Sequence, residues 1–243
     1  MPSSPSDRLP FRVIIADDHT LLRQALKLLL EAHLEITVVG EAADGYEAVL
    51  LADQLQPDVV LMDINMPRLN GIEATRQIVK RHPGVRVIIV SAYSERQQLV
   101  DSLRAGAIGY LVKRSDIDEV VLAVRMVHSG NPYFSAEIAG STNVAELLYD
   151  ARSGAGRTAA DSLTPREREV VQLLAEGFTC RASAERLVLS EKTVEGHCAR
   201  AMAKLGTKTR ADLVRVAIRD GIVGFREADA PEPLRFPTKD RTG

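Results

Sequence analysis

Five short apolar runs, each followed by a segment with helical periodicity, constrain the fold of residues 11–130 more than any other feature. The runs are continuously apolar rather than alternating, which is typical of strands buried on both faces of a parallel sheet. They lie at 13–15, 37–39, 59–62, 87–90 and 108–112. The helical segments lie at 19–32, 45–55, 71–81, 95–105 and 116–128. The alternation predicts an α/β domain with a doubly wound, parallel, five-stranded sheet.

Charged and hydroxyl side chains directly follow four of these runs. Asp17 and Asp18 follow the first, Asp63 the third, Ser91 the fourth and Lys113 the fifth. The carboxyl ends of the strands share one edge of such a sheet, where ligands bind. A single Asp there often only caps a helix, but three clustered carboxylates repel unless a cation joins them, and oxygen ligands suit Mg²⁺. With a lysine opposite, such a site has the parts needed to form an aspartyl phosphate.

The rest of the chain divides into three segments of different composition and periodicity. Residues 131–160 are rich in Gly, Ser and Asn and are expected to be a linker with a short helix near 144–149. Residues 161–225 are helical again, with segments at 165–176, 181–187, 191–205 and 210–221. The tail from 226 to 243 is Pro-rich and charged, so we expect it to be disordered.

The second helical region contains clear helix-start signals. Thr164, Pro165 and Glu167 form a capping box with proline at the first helical position, and Ser190 caps a later helix. Short helices joined by a tight turn predict a helix-turn-helix. Residues 161–225 contain 11 Lys and Arg against 9 Asp and Glu, whereas residues 1–140 contain 14 against 18. This weak contrast makes the second region the better candidate to meet nucleic-acid phosphates.

Residues 11–130 resemble the receiver domains of two-component response regulators. The motifs are IADDH at 15–19, DVVLMDINMP at 58–67, NG at 70–71, VSA at 90–92 and AGAIGYLVK at 105–113. The resemblance implies a flavodoxin-like fold, Asp63 as phospho-acceptor and Lys113 as its phosphoryl-pairing lysine. It also implies a metal held by Asp17, Asp18, Asp63 and the main-chain carbonyl of Asn65, and a switch pair formed by Ser91 and Tyr110. Arg114 departs from the proline that many receivers have after the lysine.

Residues 161–225 resemble the LuxR-type helix-turn-helix domain of the NarL/FixJ response regulators. The motifs are LTPRERE at 163–169, AEG at 175–177, AERL at 184–187, LSEKTV at 189–194 and KLG at 204–206. The resemblance implies a recognition helix at 191–205, whose Glu195, Gly196 and Ala199 depart from better-known members. We expect phosphate contacts from six cations and a base contact from one carboxylate, namely Arg181, Lys192, Arg200, Lys204, Lys208, Arg210 and Glu195.

These observations predict a response regulator rather than an enzyme, apart from catalysis of its own phosphorylation and dephosphorylation. The expected partners are a sensor histidine kinase, double-stranded DNA, Mg²⁺ and, when phosphorylated, a second copy of the chain. No apolar stretch is long enough for a membrane helix, and residues 1–10 lack a secretion signal core. The two cysteines cannot form a disulfide framework, so we expect a cytoplasmic location without a membrane partner.

One alternative stays open and a second is disfavoured. The chain is an adaptor that signals through protein contacts if Glu195 and Gly196 have removed useful DNA binding. A phosphatase or flavin enzyme on the same fold is disfavoured because the sequence after Asp63 is not a Gly-rich phosphate cradle.

Overall fold

The computed structural model describes residues 10–153, 159–220 and 222–223. The predicted tail at 226–243 lies outside these residues. The strands are β1 Phe11–Ala16, β2 Ile36–Ala42, β3 Val59–Asp63, β4 Arg86–Ser91, β5 Gly109–Val112 and β6 Tyr133–Phe134. The helices are α1 Thr20–Glu31, α2 Gly45–Leu55, α3 Gly71–Arg81, α4 Arg96–Ala105, α5 Ile117–His128, α6 Ala136–Ser141, α7 Val144–Ser153, α8 Pro165–Ala175, α9 Cys180–Leu187, α10 Glu191–Leu205 and α11 Arg210–Arg219, with a 3₁₀ turn at Ala159–Ser162.

The doubly wound parallel sheet is confirmed, with strand order β2-β1-β3-β4-β5-β6. It contains one short strand more than the five expected, because Tyr133 and Phe134 pair in parallel with Gly109 and Tyr110 of β5. Helices α1 and α5 cover one face of the sheet, and α2, α3 and α4 cover the other. Each face buries aliphatic side chains, as expected for continuously apolar strands.

The segment expected to be a linker is, in its first part, attached to this domain. Ile138 of α6 and Leu147 of α7 are fully buried in the core on the α2–α4 side. Helix α7 packs along α4, where Arg96 contacts Glu146 at 2.8 Å and Asp150 at 2.7 Å. Composition suggested flexibility, but burial of these two apolar side chains offsets the entropy of ordering the segment.

The second domain consists of α8 to α11 around a small aliphatic core. The capping box is present, since the Thr164 hydroxyl accepts from Glu167 N–H and the Glu167 carboxylate accepts from Thr164 N–H. Val188 takes a left-handed conformation (φ 54°) that ends α9, and Ser190 caps α10 two residues later. This tight connection produces the predicted helix-turn-helix. Among the described residues, no helix is both long and apolar enough to cross a bilayer.

Candidate functional site

The strand ends bring four predicted charged residues into one site. Asp17 and Asp18 follow β1, Asp63 ends β3, and Lys113 follows β5. The Lys113 ammonium lies 2.8 Å from Asp17 Oδ2 and 3.0 Å from Asp63 Oδ2. Asp17 and Asp63 are almost fully buried. The lysine therefore sits between two carboxylates that are shielded from water.

Burial is the largest influence on the pKa values in this cluster, and the attraction between Lys113 and the carboxylates comes next. Burial raises the pKa of Asp63 to about 6; Lys113 opposes the shift, and the neighbouring carboxylate of Asp17 adds to it. Burial alone would lower the pKa of Lys113, but Asp63 and Asp17 outweigh it and raise that pKa. The single ammonium leaves the carboxylates short of positive charge, which is the condition that favours binding of a cation.

His19, the last residue of the IADDH motif, also joins this cluster. Its Nδ1 lies 3.0 Å from Asp17 Oδ1 and 2.8 Å from Asp18 Oδ1. One ligand atom from each of Asp17, Asp18, His19 and Asp63 falls within 4.8 Å of the others. Three of these four residues are hard oxygen donors, so the set fits Mg²⁺. The sequence signal was present, because His19 directly follows the acidic pair at the start of α1.

The loop between β3 and α3 depends on Gly71. A Cβ at this position would lie 1.8 Å from the carbonyl oxygen of Asp63. Asn70 caps α3 by accepting from Glu73 N–H at 2.8 Å. The close approach of α3 to the end of β3 therefore requires glycine, and it fixes the backbone that carries Asp63 and Asn65.

The predicted switch pair is buried on the β4–β5 side of the site. Ser91 Oγ accepts from Tyr93 N–H at 3.2 Å. The ring of Tyr110 is fully buried, and its hydroxyl donates to the Tyr93 carbonyl at 2.9 Å. Burial raises the pKa of Tyr110, so this hydroxyl stays protonated as a donor. Arg114 stands where many receivers have a proline. Its guanidinium forms an ion pair with Glu137 of α6.

The predicted DNA-contacting residues fall into two groups. Lys192 and Glu195 are exposed on α10, and Lys208 is exposed after it. The other four cations contact the protein itself. Lys204 lies 2.6 Å from Glu167 and Arg200 lies 3.6 Å from it, Arg181 lies 3.5 Å from Glu185, and Arg210 donates to the Phe178 carbonyl.

Glu167 is the shared ion-pair partner of the two α10 cations Arg200 and Lys204. Burial alone would raise its pKa, but the Lys204 ammonium and the N–H of Thr164 outweigh burial and lower the pKa to about 2. A Cβ at Gly196 would make an ordinary van der Waals contact with the Arg200 guanidinium at 3.6 Å. The sequence could not show this competition, because Glu167 and Lys204 are 37 residues apart.

The two domains meet at the β3–α3 loop, a contact that sequence reasoning missed. The Gln172 amide of α8 accepts from Asn70 N–H at 3.0 Å and donates to the Met66 carbonyl at 3.1 Å. The Asn70 side chain donates to the Ile222 carbonyl at 2.8 Å. The second domain therefore binds the backbone of the loop that follows Asp63 at two positions, Met66 and Asn70.

Charged groups extend this contact onto α3. Glu73 is buried beside Arg168 of α8 at 3.4 Å. Burial raises the pKa of Glu73, and Arg76 and Arg168 oppose the shift. No sequence pattern connects these positions, because a contact between domains leaves no periodicity within either one.

An open parallel sheet with an acidic cluster and a lysine at its carboxyl edge, attached to a helix-turn-helix, is the architecture of a signalling protein with a DNA-binding domain. Two family models match the chain. The response regulator receiver domain matches residues 13–125, and the LuxR family of bacterial regulatory proteins matches residues 161–217. The chain belongs to the response regulators that join a receiver domain to a LuxR-type DNA-binding domain.

Known transcriptional regulators align along most of the chain. It is 34% identical over 231 residues to the transcriptional regulatory protein DegU of Brevibacillus brevis, covering 88% of this chain and 96% of that protein. It is 36% identical over 212 residues to the transcriptional regulatory protein LiaR of Bacillus subtilis, covering 87% and 99%. Regulation of transcription is therefore the shared function of these relatives and of this chain.

Solved structures agree with the assignment. RcsB from Salmonella enterica serovar Typhimurium, bound to a promoter in the presence of a phosphomimetic, matches with a TM-score of 0.53 and 26% identity, covering 85% of this chain and 98% of that one. A LuxR-family response regulator from Aurantimonas matches with a TM-score of 0.52 and 33% identity, covering 59% and 99%. RcsB has also been seen as two dimers on two parallel DNAs, with a TM-score of 0.51 and 25% identity over 85% of this chain and 97% of that one.

Proposed function

We propose that Asp63 accepts a phosphoryl group from a sensor histidine kinase. A carboxylate oxygen of Asp63 attacks the phosphorus, the P–N bond to the kinase histidine breaks, and the electron pair returns to the imidazole nitrogen. The observation that carries this proposal is the position of Asp63, buried beside Lys113 and the Asp17–Asp18 pair. The receiver itself catalyses this transfer and the later hydrolysis.

Each neighbour of Asp63 has a part in this step. Asp17, Asp18, Asp63 and the main-chain carbonyl of Asn65 would hold Mg²⁺, which when bound neutralises charge on the phosphoryl oxygens. Lys113 pairs with a phosphoryl oxygen from the opposite side, a move of little distance from its present contact with Asp63 at 3.0 Å. Ser91 donates a hydrogen bond to the phosphoryl group, and Tyr110 stays packed behind it.

A small-molecule phosphodonor and a phosphate-affinity gel test the acceptor. We expect Asp63→Asn to abolish the shifted band and chelation of divalent cations to abolish it in the wild type. Asp53→Asn is the control, since Asp53 is an exposed carboxylate that pairs with Arg81 and His82 elsewhere. Acid-labile labelling that persists in Asp63→Asn would contradict the assignment.

We infer that phosphorylation promotes a homodimer whose two output domains bind paired half-sites. Pairing raises the effective concentration of the second domain once the first is bound. Lys192 and Lys208 are exposed for phosphate contacts, and Glu195 is placed to accept from a cytosine. Glu195→Ala should relax sequence preference while total affinity holds or rises, as a selection from random DNA would measure.

A gel shift with and without the phosphodonor tests the output. We expect tighter binding to a selected site after phosphorylation, and no change in Asp63→Asn. The adaptor alternative predicts no shift in either state and is not favoured, since the relatives are transcriptional regulators. The expected cytoplasmic location stays a prediction.

A further inference from the structure

A cleft lies between the two domains, beside the loop that follows Asp63. Its volume is about 610 Å³, which is within the usual range for small-molecule sites. One wall is formed by receiver residues between Asn65 and Asn70, and the other by the end of α8, the turn at 177–178, and residues of α9 and α11. Among the described residues that line it there is none of the acidic cluster and none of the predicted DNA-contacting residues.

Apolar side chains from both domains line part of this cleft. The receiver contributes Met66, and the second domain contributes Phe178, Ile218 and Val223. The last three are only half-buried, so they keep apolar surface in contact with water. A ligand with an apolar body would remove that surface from water, which favours binding.

Arg186 gives the cleft a positive charge that makes no ion pair with any described residue. Its guanidinium lies over the Phe178 ring, 3.9 Å from the ring centroid, and the residue is exposed. The other cation that lines the cleft, Arg68, is already paired with Asp44. A guanidinium held against an aromatic ring is oriented to bind a carboxylate through two parallel hydrogen bonds. The cleft therefore favours a ligand with a carboxylate.

Two acceptor groups favour a positively charged donor on the same ligand. Asn65 lines the cleft, and its side-chain oxygen is buried without a hydrogen-bond partner among the described residues. Glu176 also lines the cleft, and its carboxylate accepts from the Gln172 amide at 2.8 Å. A carboxylate that has accepted one hydrogen bond can accept more, and it repels a ligand that is only anionic. An ammonium group on the ligand would satisfy Asn65 and be attracted by Glu176.

A molecule that meets these three conditions carries a carboxylate, an ammonium group and an apolar body. We propose that the cleft between the two domains binds an α-amino acid with a large apolar side chain. Its carboxylate pairs with Arg186, and its ammonium group donates to Asn65 and Glu176. Because the two walls belong to different domains, this ligand binds when the domains are in contact and stabilises that contact by linkage.

L-Tryptophan is the probe that tests this site. The chain contains no Trp, so the indole fluorescence reports the probe alone when tyrosine is not excited. In a titration with the full, unphosphorylated chain, we expect the anisotropy of the probe to rise to saturation with a dissociation constant below about 1 mM. L-Tryptophanamide lacks the carboxylate and N-acetyl-L-tryptophan lacks the ammonium group, and each should bind at least about tenfold more weakly.

Variants assign each charged group of the probe to its residue. Arg186→Gln should weaken L-tryptophan about tenfold and remove its advantage over the amide, and Glu176→Gln should reduce its advantage over the N-acetyl compound. Ala175→Phe should block binding, because Ala175 lines the cleft and the ring would fill it. Arg181→Gln is the matched control and should bind normally, since Arg181 is exposed on the same helix, pairs with Glu185 and does not line the cleft. If Ala175→Phe fails to fold, the comparison of the probes on Arg186→Gln still decides.

A change outside the cleft tests whether both domains are needed. Arg168 contacts Glu73 across the domain contact at 3.4 Å and does not line the cleft. Arg168→Ala should therefore weaken L-tryptophan severalfold, because the two walls separate more often. By the same linkage, L-tryptophan should raise the melting temperature of the wild type more than that of Arg168→Ala.

Four results would overturn the proposal. If none of the three probes binds the wild type, the cleft is not an amino-acid site. If N-acetyl-L-tryptophan binds as tightly as L-tryptophan, the cleft takes a simple anion. If Ala175→Phe or Arg186→Gln binds as the wild type does, the probe binds elsewhere. If Arg168→Ala binds it unchanged, the site does not need both domains. Labelling of Asp63 is measured separately, so each of these results leaves the proposed function standing.

Discussion

The acidic site of the receiver and the exposed side of α10 differ in what fixes their side chains. Asp17, Asp63 and Lys113 stand at the ends of buried parallel strands, so the backbone alone brings them together. On α10 the backbone fixes only which residues share a face, and each cation then takes the partner nearest to it. Lys204 turns to Glu167, whereas Lys192 stays exposed. Substitutions should therefore have large, coupled effects at the first region and small, separable ones at the second.

The largest effect is expected where the backbone itself forms the site. Gly71→Ala forces a Cβ to within 1.8 Å of the Asp63 carbonyl, so α3 and the end of β3 must move apart. We expect a loss of about 3 kcal/mol in the free energy of unfolding, together with loss of Asp63 labelling. Gly84→Ala is the control and should be neutral, because apart from its chain neighbours no atom lies within 4 Å of a Cβ placed there. Urea unfolding measures both, and a stable, fully labelled Gly71→Ala protein would show that the site does not need this close approach.

The second prediction concerns the cost of the buried charge on Asp63. Its pKa rises from 3.8 to about 6 on folding, because burial and then Asp17 outweigh Lys113. A raised carboxyl pKa favours folding most below pH 4, and that contribution is lost as the pH rises through 6. At pH 7 in the presence of a chelator, Asp63→Asn should therefore be more stable than the wild type by roughly 3 kcal/mol.

Urea unfolding of both proteins between pH 4 and 8 checks the direction of this difference in stability. The wild type should lose stability relative to Asp63→Asn across the window, and Mg²⁺ should restore it in the wild type only. If Asp63→Asn is the less stable protein at pH 7, attraction to Lys113 prevails over desolvation, and the site is neutralised without a metal.

Glu167 provides the opposite pH dependence in the second domain. Its pKa falls to about 2 because Lys204 and Thr164 outweigh burial. A lowered carboxyl pKa stabilises the folded state above pH 4.5, and that contribution is lost as the pH falls towards 2. Glu167→Gln should cost about 1–2 kcal/mol at pH 7, reduced by the solvent around Lys204, and nothing near pH 2. Calorimetry of the full chain at pH 7 and near pH 2 measures this difference in unfolding free energy. An equal loss at both pH values would mean that Glu167 stabilises the fold only as a helix cap.

The order of strands and helices in the receiver could be predicted because each element leaves a periodic pattern. Helices α2, α3 and α10 have the expected bounds, and Asp63 and Lys113 lie at the expected strand ends. Residues 131–153 could not be assigned in the same way. Their composition is that of a linker, and only the burial of Ile138 and Leu147 against a surface formed by other elements orders them.

Contacts between side chains that are far apart in the sequence could not be predicted either. His19 was visible beside the acidic pair, but the direction of its ring was not. Gln172 is an ordinary glutamine within α8 until the loop at Met66 and Asn70 lies against it. Contacts of this kind depend on how domains dock, which local propensity does not encode.

The smallest expected effect is on DNA binding. It distinguishes a free cation of α10, the exposed Lys192, from an engaged one, Lys204, which is paired with Glu167. Lys192→Ala should lower the slope of log affinity against log salt by about one unit, because an exposed ammonium gives up a counterion-releasing phosphate contact. Lys204→Ala should lower it by less than about half a unit, since phosphate must compete with a carboxylate at 2.6 Å. Glu167→Gln releases Lys204 and should raise the slope, and adding Lys204→Ala to it should remove the gain. If Lys204→Ala and Lys192→Ala lower the slope equally in the wild-type background, the Lys204–Glu167 pair opens on DNA at no cost, and the distinction between engaged and free cations fails.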